Sequence, residues 1–149
     1  MTSFALRKFA LGLALTAAVG QVATAAPQSD AESSLTGTWL GEFRPSPDQP
    51  LQRFVTSRRA DGTFELVARL YDPQKPVQEV VNSGLWGVSN GLYFTVTTVV
   101  NGQKTDVKSP DAVNSYVVQS LRPNEFAYRH LLSGYTFQVR RVPDDTRLP

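Results

Sequence analysis

Residues 61–73 read DGTFELVARLYDP. Phe64, Leu66, Ala68 and Leu70 alternate with Glu65, Val67, Arg69 and Tyr71. A period of two sends one set to a buried face and the other toward water, as in a half-buried β-strand. Asp61-Gly62 before the run and Asp72-Pro73 after it are turn signals. The arrangement recurs. Leu92, Phe94 and Val96 alternate with Tyr93, Thr95 and Thr97 behind Asn90-Gly91, and Tyr135, Phe137 and Val139 alternate with Thr136, Gln138 and Arg140 behind Ser133-Gly134. Asn101-Gly102 and Pro123-Asn124 are further turns in this series. Asn-Gly in particular fits a two-residue hairpin whose central residues both need positive φ.

Strands are predicted over 37–44, 52–59, 63–71, 77–88, 91–100, 103–108, 113–122, 125–131 and 134–142, with Gly84 a place to bulge. No window after residue 35 carries a helical period with caps. Eight or nine short antiparallel strands joined by tight turns form a meander, so the class is all-β. Closing into an up-and-down barrel removes the meander's edges. A two-sheet sandwich is the other solution.

Upstream, Arg7 and Lys8 precede the apolar run Phe9–Val19, and Ala23-Thr24-Ala25 has the small-x-small form of a cleavage site. Residues 1–25 therefore read as a signal peptide, too short in its apolar run for a membrane span. The polar stretch 26–34 is expected to be a flexible leader, 35–142 the barrel and 143–149 a tail. Removing Arg7 and Lys8 brings the 15 basic residues level with the 13 acidic ones. The charge argument for a nucleic-acid or anionic-membrane partner then disappears. The absence of cysteine excludes disulfides, thiolate metal sites and thiol nucleophiles. These features fit a bacterial exported protein, periplasmic or secreted.

Leu35-Thr36-Gly37-Thr38-Trp39 opens the meander, and Phe137-Gln138-Val139-Arg140-Arg141-Val142 closes it. Gly37-x-Trp39 at the head of an antiparallel meander resembles the signature of the lipocalin-like, or calycin, barrels. The resemblance implies that Trp39 closes one end of the barrel and that an arginine of the last strand packs over its indole. Arg141 shares parity with Tyr135, Phe137 and Val139, which makes it the candidate, with cation–π stacking as the physical reason. A plain core tryptophan is the simpler reading of Trp39. The chain lacks the disulfide and the Thr-Asp-Tyr motif of secreted lipocalins, so it looks closer to small bacterial lipocalin-like domains.

Chemistry is sparse. There is no Gly-rich phosphate loop and no Gly-x-Ser-x-Gly elbow. The single histidine, His130, reads as a surface or rim residue at a strand end. No metal site or cofactor is implied, and no catalytic constellation is visible. Trp86 is expected to be partly exposed. The aromatic load points inward: Phe94, Tyr116, Phe126, Tyr128, Tyr135 and Phe137 are the candidate lining of a ligand site. A barrel of ~8 strands is just wide enough to be filled by side chains or to hold one small ligand. Two functions follow. One is binding of a small apolar or amphipathic molecule. The other is a protein-interaction module, an inhibitor or envelope accessory protein, acting through the Pro-rich loop 44–51, RPSPDQPL.

Overall fold

The computed structural model describes residues 30–149. The expected signal peptide and the first part of the leader lie outside the described residues. Nine strands follow one another: β1 Gly37–Phe43, β2 Leu51–Arg58, β3 Thr63–Tyr71, β4 Gln78–Ser89, β5 Leu92–Val100, β6 Gln103–Lys104, β7 Val113–Arg122, β8 Glu125–His130 and β9 Thr136–Val142. Every pairing is antiparallel. Eight of them close into an up-and-down barrel, with β1 held between β2 and β9 and the ring completed by β4 against β5. The short β6 is a ninth strand, hydrogen-bonded to the end of β5. One continuous ring leaves no second sheet, which removes the sandwich alternative.

The turns explain the register. At Asn90-Gly91 and Asn101-Gly102 both residues have positive φ, the geometry a two-residue hairpin requires. Two bulges, one at Thr98 in β5 opposite Ser83 and Gly84, the other between Val118 and Ser120 in β7, add curvature. Inward-facing positions run through Trp39 in β1, Phe54 and Arg58 in β2, Phe64 and Ala68 in β3, Trp86 in β4, Tyr93 in β5, Phe126 and Tyr128 in β8 and Val139 in β9, all nearly or fully buried.

Four sequence expectations change. Residues 30–34, placed in a flexible leader, belong to a short helix, α1 Asp30–Leu35, whose last residue Leu35 is fully buried. The strand expected over 103–108 stops at Lys104, because the Asp106 carboxylate accepts from the Lys108 amide at 2.9 Å and turns the chain. Trp86 is in the core. It shares the inward face of β4 with Gly84 and Val88, and its indole N–H donates to the Arg59 carbonyl at 3.1 Å. The segment 143–149 lies along the outside of β2 and β3: Leu148 is buried, Thr38 donates to Asp144 at 2.8 Å, and Arg69 donates to the Leu148 carbonyl at 2.7 Å.

Candidate functional site

The two ends of the barrel are built differently. At one end lie α1 and the turns 59–62, 90–91 and 123–124; at the other lie the loop 44–50, the turn 72–77, the connection 101–112 and the loop 131–135. We call them the helix end and the loop end.

The helix end is sealed. Trp39 is fully buried, and its indole N–H donates to the Leu35 carbonyl at 2.9 Å, which ties β1 to α1. Arg141 sits directly opposite Trp39 in the β1–β9 register, and its guanidinium carbon is 4.3 Å from the indole centroid. The guanidinium donates to the Ser34 carbonyl at 2.6 Å, the Thr36 carbonyl at 2.7 Å and the Pro123 carbonyl at 2.8 Å. Those first two carbonyls lie at the end of α1, where helical partners run out, so a cation is favourable there. Gly37 makes room. Its φ is +111°, and a Cβ on it would come within 2.6 Å of Arg141 Nη1. Arg140 points the other way and lines an outer groove of about 590 Å³ with Leu40, Glu42 and Gln138.

The middle is an aromatic stack. Tyr128 lies parallel to Phe126 at 4.6 Å and to Phe137 at 5.4 Å. Tyr93 stacks on Tyr116 at 5.2 Å and meets Phe126 edge-on at 5.6 Å. Side chains thus fill the barrel at this level. Burial pushes the Tyr116 and Tyr128 phenols well above the usual tyrosine range, with the neighbouring Tyr93 adding to it. Both stay protonated at neutral pH. Among these rings lies Arg58, 2% exposed, which donates through Nε and Nη2 to the Tyr93 hydroxyl at 3.2 and 3.0 Å.

The loop end is looser. Phe43, Tyr116 and Phe137 are only partly buried there, and Tyr135 is 43% exposed with its ring 5.0 Å from Phe43. Val77, Leu131 and Leu132 are exposed at this end, Leu132 at 85%. His130 stands at the rim, as the last residue of β8, with its ring 5.1 Å from Tyr116. Its Nδ1 pairs with Ser133 at 2.9 Å, while the buried Nε2 has no partner among the described residues. Beside this end, the loop 44–51 and the turn 72–77 enclose a groove of about 670 Å³.

Of the predicted lining residues, Tyr116, Phe126, Tyr128 and Phe137 meet in the interior, and Tyr135 stands at its rim. Phe94 does not belong. It pairs with Gly87 and lies over it on the outer wall, while its neighbour Tyr93 takes the inward place. Arg58 and Tyr93 were the residues that sequence reasoning missed as interior groups. Parity with Phe54 and Thr56 is the signal that marks Arg58 as inward. No group of three or more His, Asp or Glu among the described residues is placed to hold a metal ion. No helix among them is long and apolar enough to cross a membrane. No known family model matches the chain, and no curated protein matches it.

Proposed function

We propose that this chain is an exported lipocalin-like barrel that binds a small apolar or amphipathic molecule at its loop end. The observation that carries the reading is the asymmetry of the ends. Trp39, Arg141 and Leu35 seal one, whereas Phe43, Tyr116 and Phe137 remain only partly buried at the other, where Leu131 and Leu132 are also exposed. Partly exposed rings at a barrel end are the kind of lining such ligands need. The stack below sets the floor, so the ligand is shallow-seated and small. The Gly37, Trp39 and Arg141 arrangement supports the lipocalin-like assignment, because it supplies the contact that the resemblance implies.

Titration with a fluorescent apolar probe tests this. We expect one probe per chain, with binding weakened by Leu132→Asp and Tyr135→Asp. Leu85→Asp, at a residue 51% exposed on the outer wall, should leave it unchanged. Binding that ignores both rim substitutions, or that Leu85→Asp abolishes, would contradict the proposal.

The groove between loop 44–51 and turn 72–77 favours a second reading, a protein-interaction module. The loop is braced internally: Ser46 donates to Asp48 at 2.6 Å, and Arg44 donates to the Pro47 carbonyl at 3.3 Å. An ordered loop loses little entropy on docking. Loss of a partner on truncating 45–50, with probe binding intact, would favour this second reading.

A further inference from the structure

Three turns carry an exposed Asp or Asn directly before glycine: Asp61-Gly62, Asn90-Gly91 and Asn101-Gly102. This dipeptide has a chemistry of its own. The glycine amide nitrogen can attack the side-chain carbonyl carbon, because no Cβ on the glycine crowds the approach. The product is a five-membered succinimide ring. The fold treats the three turns differently.

Two of them are tied down. At Asp61, Oδ1 accepts from the Thr63 hydroxyl at 2.6 Å and from the Thr63 amide at 2.9 Å. Those bonds hold the carboxyl below its usual range, so it stays an anion, a poor electrophile. The Gly62 amide is engaged too, donating to the Arg59 carbonyl at 3.1 Å. At Asn101, Oδ1 accepts from the Val81 amide at 2.9 Å, and the Asn101 amide donates to the Val81 carbonyl at 2.8 Å. Side chain and backbone of Asn101 are therefore clamped to β4. The carbonyl carbon cannot swing round to Gly102 while both bonds hold.

Asn90 has no such clamp. Its φ of 51° matches the 49° of Asn101, so the two turns start from similar backbones. Yet no described residue bonds to its side-chain amide, and the Gly91 nitrogen has no acceptor among them. A Cβ at Gly91 would meet nothing within 4 Å, so the turn stands in open space. Its tie to β7 runs through the Gly91 carbonyl, which accepts from the Val118 amide at 2.9 Å.

We propose that Asn90 is a site of spontaneous modification, where the folded chain converts an amide into a carboxylate. The Gly91 nitrogen gives its proton to hydroxide and bonds to Asn90 Cγ. The Cγ–Nδ2 bond breaks, and ammonia leaves with a proton taken from water. Water then opens the ring at either carbonyl, giving aspartate or isoaspartate. Nothing is oxidised or reduced, and water is the only co-reactant. Either product adds a negative charge at the helix end. The isoaspartyl form also adds a methylene to the main chain of a two-residue turn, which moves the Gly91 carbonyl off Val118.

The purified protein is held in mildly alkaline buffer, folded or in concentrated guanidinium, and mapped by peptide mass spectrometry. In the folded protein the amide-to-acid mass gain should accumulate at residue 90 about tenfold faster than at residue 101, the factor that one intact hydrogen bond supplies. In guanidinium the two asparagines should react alike, because each precedes glycine and neither is clamped. Asn90→Gln, whose longer side chain must close a larger ring, should remove the gain at residue 90 and leave residue 101 as it was. Amide exchange at Val118 should quicken in the isoaspartyl fraction. Equal rates at the two positions in the folded protein overturn the inference. So does a folded Asn90 that stays intact while the denatured chain reacts. A Val118 amide as protected as before overturns the effect on the turn.

Discussion

Trp39 and Arg141 hold the helix end together, and their coupling is measurable. Trp39→Ala should cost ~3–5 kcal/mol, the range for a buried aromatic. A double-mutant cycle in denaturant should couple Trp39 to Arg141 by ~0.5–2 kcal/mol and leave Arg140 uncoupled. Arg140 is exposed on the opposite face, so coupling to it would place the register off by one. Strand parity made Arg141 legible in the sequence. It did not settle Phe94 against Tyr93, because the outer face of β5 is itself covered: Phe94 packs over Gly87, so both parities are apolar. Arg58 was hidden differently. Next to Arg59 it looks like half of a strand-end basic pair, and the pairing with Gly37 and Phe64 shows that it is the last residue of β2, on the inward face with Phe54 and Thr56.

At the scale of the elements, the pairing of β4 with β5 depends on the bulge at Thr98, opposite Gly84. A Cβ on Gly84 would meet the Val96 carbonyl oxygen and approach the Thr98 amide to 3.0 Å, and neither backbone group can move aside alone. Gly84→Ala should therefore cost ~1–3 kcal/mol by overpacking. The chemical shifts of β4 and β5 should change while those of β8 and β9 stay fixed. Helix α1 has its own anchor in Leu35, so Leu35→Ala should lose ~2–5 kcal/mol. A loss near zero in urea titration would show that α1 does not seal the barrel. The strands were legible because each carries its own alternation between turn residues. The helix was not, because six residues, DAESSL, are too few to display a helical period. Its stability comes instead from Leu35 and from the Arg141 bonds, which are contacts across the chain.

The barrel as a whole joins a sealed end, an aromatic floor and an apolar mouth, and its interior phenols set its response to alkali. The folded-state pKa values of Tyr116 and Tyr128 are raised by burial, whereas an unfolded tyrosine ionises near pH ~10. Their contribution is complete below that pH and is lost as pH rises toward the folded values, because only the unfolded chain then gives up the protons. Urea midpoints should hold up to about pH 10 and fall above it, and Tyr128→Phe should flatten the fall. The central functional claim concerns what the loop end holds. Native mass spectrometry of the protein taken from the cells that make it, without refolding, tests it most directly. The expected result is one small apolar or amphipathic molecule per chain, released on denaturation and replaced by added octanoate or octanol. A bare chain that takes up neither octanoate nor octanol, or a chain recovered only in complex with a second protein, would contradict it.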